Sequence, residues 1–480
     1  NDGMLDIAFD IRRKPGDSPL VPVFRNETKP GGEIVFRDIT EQAGIDTGDE
    51  PICWADLDGD GDLDVVCRGL WSGAGAARQR DPKKLALYEN VGKGTPMFRL
   101  DPARCLVPEI AKAGAYANYG FANIGVLDAN GDGRPDIFGE YVGPFRTLIL
   151  FGSVRGKPFV FDDVTEQVGF LVKKGSGFEA PSFLTGKAWP QYVVFDCDGD
   201  DLQDILYNSD GPILLRNGGR RGFSAVPAAA LSYETYPSPA TGNSPLIIPA
   251  VADYNNDGKT DIFVPQAQAK NLLMQGQGDG TFKDALSTTG PMATDKNDSL
   301  WATWGDVNND GLPDLFVCNA SERNRLYIQK GNHAFADKAD EYGTTGERGE
   351  KTNFALFADF DRDGDLDMIV LRDNGRSQLL LNPFVTGQNR YYVSVLVRAP
   401  LGALGAKVTL YRLPDQVVGF QQVCRVEGYN RQTPREAFFG VATAGEYGVK
   451  VVLSNGTVIR QRLTIKPDSR NEVIIGREAR

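Results

Sequence analysis

The sequence predicts an all-β protein, a seven-bladed β-propeller with calcium-binding loops followed by a small β-sandwich-like domain. An Asp-rich nonapeptide between two short apolar strands recurs through residues 56–367. The chain has 55 Gly and 28 Pro, which supply many turns. Beyond residue 384 the nonapeptide disappears and alternating apolar and polar residues continue. These observations predict two domains, at residues 1–384 and 385–480.

The nonapeptide sets the length of the repeat. Complete copies start at residues 56, 128, 196, 253, 306 and 359, and the last three starts are 53 residues apart. Each copy is followed by an apolar strand, a second strand ending near Asn or Gly, and in most units an F-x-D strand. Four short strands in about fifty residues are typical of one propeller blade. The longer early spacings predict insertions in the first units.

A partial copy opens the chain. Asn1–Phe9 reads NDGMLDIAF, which matches the back half of the nonapeptide and the strand after it. The first of the seven units therefore lacks its opening strand, and the last stops after Ser377–Asn382. We expect residues upstream of Asn1 to close the ring, unless a strand from a neighbouring chain completes it.

The nonapeptides have the chemistry of calcium sites. Side-chain oxygens at positions one, three, five and nine and a main-chain carbonyl at position seven would form a cage of oxygen ligands, as a hard cation requires. Glycine at position six allows the turn. The predicted ligands are Asp56, Asp58, Asp60, Asp62, Asp64, Asp128, Asn130, Asp132, Arg134, Asp136, Asp196, Asp198, Asp200, Leu202, Asp204, Asp253, Asn255, Asp257, Lys259, Asp261, Asp306, Asn308, Asp310, Leu312, Asp314, Asp359, Asp361, Asp363, Asp365 and Asp367. This gives six Ca²⁺ sites, and a seventh would involve Asp2 and Asp6.

One copy departs from the motif, because Asp201 stands where the turn glycine belongs. The flanking residues are β-prone, so the loops join strands and differ from EF-hands. A structural role for calcium is expected, since close carboxylates repel one another without a cation. The alternatives are a calcium switch, or acidic hairpin turns that hold no metal.

The net charge of the chain disfavours one class of binding partner. The chain has 64 acidic and 52 basic residues and a formal net charge of −12. This charge disfavours nucleic acid as a partner. No apolar run reaches the length of a membrane span.

The repeats resemble the FG-GAP/VCBS repeats of integrin α-subunit propellers over residues 1–384. The segments Asn389–Val397, Leu401–Tyr411 and Val449–Gln461 resemble the ASPIC/UnbV module, and the joint arrangement is similar to the cartilage acidic protein family. The resemblance implies a secreted, extracellular protein that binds protein or glycan partners in adhesion, in the matrix or as a surface scaffold.

Catalysis is not expected. His333 is the single histidine, and the GxSxG, HExxH and P-loop motifs are absent. Two other functions stay open: a carbohydrate-binding or polysaccharide-lyase propeller, and a subunit of a surface assembly or filament completed by strand donation.

Cysteines and sequons add two smaller expectations. Cys53 and Cys67 flank the first nonapeptide, where they would either form a disulfide across the hairpin or remain free core thiols. The sequons at Asn26, Asn297, Asn319 and Asn455 fit surface turns.

Overall fold

The computed structural model describes residues 4–8, 20–46, 52–72, 79–92, 97–112, 120–142, 146–170, 172–174, 177–179, 191–208, 212–226, 231, 248–267, 269–295, 298–372, 377–382, 391–399, 401–427, 431–466 and 471–476. Helices in these ranges are short. The α-helices are α1 (Thr40–Ala43) and α2 (Glu109–Lys112), and single 3₁₀ turns lie at Pro102–Arg104, Gly219–Arg221, Leu286–Thr288 and Gly290–Ala293.

The first half of the chain folds into consecutive antiparallel sheets. The first sheet contains β1 (Ile7–Ala8), β2 (Val23–Asn26) and β3 (Phe36–Asp38). The second contains β4 (Ile52–Ala55), β5 (Asp64–Ser72), β6 (Gln79–Asn90) and β7 (Phe98–Leu100). The third contains β8 (Gly120–Leu127), β9 (Asp136–Val142), β10 (Arg146–Ser153) and β11 (Phe161–Asp163). A separate hairpin, β12 (Val172–Lys174) and β13 (Gly177–Glu179), follows.

The same four-strand order continues towards the second domain. The fourth sheet contains β14 (Gln191–Phe195), β15 (Asp204–Asn208), β16 (Pro212–Asn217) and β17 (Phe223–Ala225). The fifth contains β18 (Ala250–Ala252), β19 (Asp261–Val264), β20 (Leu272–Gly276) and β21 (Phe282–Asp284). The sixth contains β22 (Ser299–Gly305), β23 (Asp314–Asn319), β24 (Arg325–Gln329) and β25 (Phe335–Asp337), and the seventh β26 (Thr352–Ala358), β27 (Asp367–Arg372) and β28 (Gln378–Leu380).

Burial follows strand position within a sheet. Every residue of β14, with the sequence QYVVF, is buried, because both of its faces pack against neighbouring sheets. The outer strand β21, with the sequence FKD, buries only its phenylalanine. The inner strands therefore form the core between sheets, and the outer strands meet solvent.

The first sheet contacts the seventh. Asn26 Nδ2 donates to the Phe360 carbonyl at 2.8 Å, and the Gly31 amide donates to the Asp361 carbonyl at 2.7 Å. The rings of Phe36 and Phe360 meet edge to face with centroids 6.1 Å apart. Sheets adjacent in the chain also pack together, as β22 does against β26. The predicted all-β propeller fold is confirmed.

The C-terminal strands form two sheets packed face to face. They are β29 (Tyr392–Arg398), β30 (Lys407–Arg412), β31 (Gln416–Gln422), β32 (Val426–Glu427), β33 (Arg431–Gln432), β34 (Glu436–Gly440), β35 (Gly445–Val452), β36 (Val458–Ile465) and β37 (Glu472–Gly476). One sheet has the order β34-β29-β37 and the other β31-β30-β35-β36. Val395 from the first and Leu410 from the second are fully buried in one shared core. This is a small sandwich, as the sequence pattern predicts.

The hairpin β32–β33 leaves the sandwich and joins the propeller. Glu427 pairs with Val193 of β14, which extends the fourth sheet to six strands. Gln432 accepts from the Trp54 amide at 3.1 Å and donates to the Trp54 carbonyl at 2.8 Å. The sandwich is therefore docked on the inner strands of the propeller.

The structure excludes the predicted disulfide. Cys67 pairs with Ile52 across the hairpin, and Cys53 pairs with Val66. The two cysteines therefore point to opposite faces of the sheet, because side chains alternate along a strand. All six cysteines lie in the described ranges, and none of them forms a disulfide.

Two of the four sequons are not at the surface. Asn26 and Asn319 are 1% and 0% exposed, and each makes hydrogen bonds with its side chain. The expectation of surface turns is therefore wrong for these two. Asn455 lies at a turn, and Asn297 lies outside the described residues.

Candidate metal centres

Each nonapeptide joins the first and second strands of its sheet. Position one directly follows the first strand, and position nine begins the second. The last residue of the first strand pairs with position nine, as Ala252 does with Asp261. The same pairing occurs in the other five copies: Ala55 with Asp64, Leu127 with Asp136, Phe195 with Asp204, Gly305 with Asp314 and Ala358 with Asp367. We number these loops one to six in chain order.

The aspartate at position nine fixes each loop to its sheet. In loop four, Asp261 Oδ2 accepts from the Tyr254 amide at 3.1 Å, and its Oδ1 accepts from the Gly276 amide on the third strand at 2.7 Å. Both bonds recur in every loop. The donors equivalent to Gly276 lie on the third strand of their sheet or, for Asn382, just after it; they are the amides of Asn90, Ser153, Asn217, Gln329 and Asn382. This carboxylate is thus both a turn-closing group and a candidate ligand.

Three further hydrogen bonds shape every loop. In loop five, Asp306 Oδ2 accepts from the amide at position six, Gly311, at 2.8 Å. Asn308 accepts from the Asp310 amide at 3.0 Å, and Asp310 accepts from the Leu312 amide at 2.9 Å. The equivalent bonds are present in the other five loops. Side chains at positions one, three and five therefore bend inward around one turn.

The residue at position six has a left-handed backbone. Gly258 has φ +83° and Gly311 has φ +87°, conformations that suit glycine. Asp201 in loop three also has φ +69°. Aspartate thus replaces glycine at position six of loop three, and the backbone keeps the left-handed conformation of the other loops.

The bends bring carboxylates together. Oxygens of Asp56, Asp58 and Asp64 lie within 4.8 Å of one another, as do those of Asp359, Asp361 and Asp367. In loop three the same holds for oxygens of Asp196, Asp198 and Asp200. The Cys197 sulfur also lies within this distance of oxygens of Asp198 and Asp204. Such clusters of oxygen ligands fit a hard divalent cation.

Burial makes the loop carboxylates hard to ionise in the absence of a cation. It raises the pKa of Asp253 to about 7 and those of Asp64, Asp261 and Asp359 to about 8. Neighbouring aspartates add to the shift, as Asp253 does for Asp261. A bound divalent ion would reverse this effect by favouring the charged form.

Position seven contributes a main-chain group in every loop. Its residues are as different as Asp62, Arg134 and Lys259, and each amide donates to the carboxylate at position five. This variety of side chains is compatible with the main-chain carbonyl of position seven as the ligand, because that carbonyl binds an ion without the side chain. The assignment of individual ligands stays a prediction.

The comparisons with known proteins agree with this geometry. A family model described as an FG-GAP-like repeat matches residues 196–264, 253–317 and 306–370. The chain carries FG-GAP-like repeats. The matched segments contain loops three to six, the strand before each of loops four, five and six, and all or most of the strand after each loop.

The curated relatives of these repeats share one name. Cartilage acidic protein 1 of Xenopus tropicalis is 25% identical over 268 residues, covering 51% of this chain and 38% of the relative. The Homo sapiens protein of the same name is 23% identical over 336 residues, covering 65% of this chain and 45% of the relative. The chain thus matches less than half the length of each of these relatives.

Solved structures superpose only weakly on this chain. A structure described as the Dos1 propeller has a TM-score of 0.37 and a sequence identity of 11%. The superposition covers 73% of this chain and 70% of the Dos1 propeller chain. Trypanosoma rangeli sialidase has a TM-score of 0.34 at 10% identity, covering 78% and 58%. Within the described residues, no helix is long and apolar enough to cross a membrane.

FG-GAP loop three is paired with cationic side chains. Lys407 Nζ contacts the carboxylates of Asp196 and Asp201, and Arg216 Nη2 contacts that of Asp198. Lys407 lies on β30 of the sandwich, far from the loop in sequence. No pattern in the sequence indicates this contact.

The sandwich also contacts loops one, two and six. Arg435 Nη1 donates to the Gly61 carbonyl of loop one at 3.1 Å. Ser454 Oγ donates to Asp128 of loop two, and the Gly402 amide donates to the Gly133 carbonyl at 2.6 Å. In loop six, Arg362 pairs with Glu436. The loops therefore form the surface on which the second domain is docked.

A cavity of about 150 Å³ separates part of the two domains. The aspartates at position one of loops four, five and six, Asp253, Asp306 and Asp359, line it together with Arg425 and Glu436 of the sandwich. Water and ions would thus reach these three loops from a shared space.

The partial seventh loop is described in part. Asp6 Oδ1 accepts from the Asn26 amide on β2 at 2.8 Å, which is the bond that position nine makes elsewhere. Asp2 lies outside the described residues.

The single histidine has a packing role. His333 has φ +59° in the turn before β25, and its ring lies 5.7 Å from that of Tyr254. Tyr254 is at position two of loop four, so the histidine covers the side of an FG-GAP loop.

Proposed function

We propose that this chain is a calcium-stabilised extracellular β-propeller that presents its surface to protein or glycan partners. The observation that carries the proposal is the common hydrogen-bond scheme of the six loops, which bends the side chains at positions one, three and five around one turn and fixes the aspartate at position nine. Calcium is the ion that such an all-oxygen, flexible site prefers.

The role of calcium is structural in this proposal. Each loop connects two strands that are hydrogen-bonded to each other. Binding of an ion is therefore expected to cause little movement of the loop. Buried carboxylates with raised pKa values repel one another when ionised, and the ion removes this repulsion. A site saturated at about 100 times its dissociation constant adds about 2.7 kcal/mol to the free energy of unfolding.

An extracellular location is supported by the relatives and by the ion. The relatives are named for cartilage, which is rich in extracellular matrix. Loops of this kind would be filled at the millimolar calcium concentrations outside cells. The net charge of −12 favours basic protein surfaces as partners over nucleic acid.

Binding is proposed in preference to catalysis. The one histidine packs against Tyr254, and the clustered carboxylates are assigned to metal. The partner itself is a proposal at the level of chemical class, an extracellular protein or glycan.

Thermal unfolding in calcium and in EGTA tests the calcium part of the proposal. Calcium should raise the melting temperature of the wild-type chain, and Asp257→Ala in loop four should reduce this increase. Asp340→Ala is the matched control, since Asp340 is an acidic residue outside the loops whose side chain is 85% exposed. Equal melting temperatures in calcium and EGTA would contradict the proposal.

The binding part needs a separate experiment. The calcium-loaded chain should bind a defined set of matrix proteins or glycans on an array, with weaker binding in EGTA. A uronate-release assay on the same glycans distinguishes binding from lyase activity. Release of unsaturated products would replace the binding proposal with a catalytic one.

A further inference from the structure

Loop three differs from the other five loops in its residue at position six. Asp201 stands where the others have glycine, and its backbone is left-handed at φ +69°. Its amide still donates to Asp196 at 2.8 Å, as the glycine amides do in the other loops. The substitution therefore keeps the loop shape and adds a carboxylate beside position one.

An ammonium group from the second domain lies on this extra carboxylate. Lys407 Nζ is 2.8 Å from Asp201 Oδ1 and also contacts Asp196, the candidate ligand at position one. The Lys407 side chain is 17% exposed and that of Asp196 is 1% exposed. The ion pair is thus held largely away from water, where such a contact is stronger than at the surface.

The strand that carries Lys407 fits closely against the loop. A Cβ atom at Gly405 would lie 2.4 Å from Nε2 of Gln203, the residue at position eight. Gln203 is itself held, because its Oε1 accepts from the Asp128 amide at 2.8 Å. The position of Lys407 is therefore built into the docking of the two domains.

The other position-one aspartates have different neighbours. Asp128 accepts from the neutral hydroxyl of Ser454. Arg435 donates to the Gly61 carbonyl of loop one, and its charge opposes the rise that burial causes in the pKa of Asp56. Among the described residues, no ion pair joins a cationic side chain to Asp56, Asp128, Asp253, Asp306 or Asp359. Loop three alone in this set has an ammonium on its first ligand.

We infer that Lys407 and Arg216 are the counter-ions of loop three, and that Lys407, which lies on the ligand at position one, excludes a divalent cation from the loop. A divalent ion there would have to share Asp196 with the ammonium, and two cations on one buried carboxylate repel each other. Loop three then joins the sandwich to the propeller, while the other five loops hold ions. This inference rests on the proposed calcium binding by those loops.

The test counts tight calcium sites in a set of full-length variants by calorimetric titration. Asp200→Ala removes the ligand at position five of loop three without touching Lys407, and Asp257→Ala does the same in loop four. Both are made in the wild-type chain and in Lys407→Met, which keeps the apolar stem and removes the charge. Lys450→Met is the matched control, since Lys450 faces Thr409 on the same sheet and forms no ion pair with a loop aspartate in the described part of the chain.

The expected results separate the two loops. Asp200→Ala should cost no tight site in the wild-type chain and one site in Lys407→Met, which itself gains a site. Asp257→Ala should cost one site in both backgrounds, and Lys450→Met should change nothing. Loss of a tight site on Asp200→Ala in the wild-type chain would overturn the inference and leave the proposed function intact. Absence of calcium binding in every variant would overturn both.

Discussion

Loops three and four have the same spacing and the same five internal hydrogen bonds, yet they have different electrostatic surroundings. Loop four has Gly258 at position six and no ion pair to Asp253 among the described residues. Loop three has Asp201 at that position, and Lys407 lies on its first ligand. In the proposed scheme, one backbone scaffold serves either to hold an ion or to dock a domain, depending on which cation reaches position one.

The largest expected effect comes from removing calcium altogether. Each filled loop should contribute about 2–3 kcal/mol to the free energy of unfolding at saturating calcium, and loop three should contribute none. EGTA should therefore lower the stability of the wild-type chain by several such increments, as measured by chemical denaturation. A change below 1 kcal/mol, roughly the error of such a measurement, would show that the loops do not depend on ions.

The next prediction concerns pH in the absence of calcium. Burial raises the pKa of Asp253 to about 7 and that of Asp261 to about 8, from 3.8. Without calcium, these two carboxyl groups bind protons more tightly in the folded chain than in the unfolded chain. Their contribution to the free energy of unfolding is therefore fully present below about pH 4 and is lost as the pH rises through 7 to 8. The melting temperature in EGTA should fall between pH 5.5 and pH 8.5.

Calcium should remove or reverse this pH dependence. The ion binds the ionised carboxylates, so calcium affinity should rise over the same pH range as the protons leave. A melting temperature that rises with pH in EGTA, as steeply as in calcium, would contradict the assignment of these carboxylates.

A pair of matched substitutions sharpens the comparison between the loops. Asp261→Asn and Asp204→Asn each disturb the two bonds that close their loops, at a cost of about 1–3 kcal/mol. In calcium, only Asp261→Asn should also lose an ion and another 2–3 kcal/mol or so. Denaturation in calcium and in EGTA should show a difference between the variants only in calcium.

The smallest expected effect is that of Lys407→Met. In EGTA the variant leaves Asp196 and Asp201 without their ammonium partner and should lose about 1.5–3 kcal/mol, the range for hydrogen bonds to charged groups. Calcium should recover most of this loss by entering loop three. A loss of equal size in both conditions would indicate that the ammonium and the ion do not compete.

The sequence was sufficient to predict the blades and the loops because the residues that define each of them are close together in the sequence. A nonapeptide and its flanking strands lie within a few residues of one another, and the position-nine bond needs only the next two strands. The same locality holds for the partial copy at Asp6, which makes the expected bond to Asn26. The all-β fold and the sandwich followed from strand periodicity alone.

Contacts between distant segments were not predictable in this way. Lys407 reaches Asp196 across more than two hundred residues, and the β32–β33 hairpin pairs with β14 over a similar separation. The sequence left a disulfide and core thiols open for Cys53 and Cys67, and the structure excludes the disulfide because the two cysteines are one position out of register in the hairpin. Asn26 and Asn319 match the sequon but are used inside the propeller, which a tripeptide motif does not reveal.

The most direct test of the account is the position of bound ions in crystals grown with calcium, measured by anomalous diffraction. The account predicts peaks inside loops one, two, four, five and six, each surrounded by the oxygens of positions one, three, five, seven and nine, and the Lys407 ammonium in place of a peak at loop three. Loops that retain their shape with no peak in any of them would contradict it.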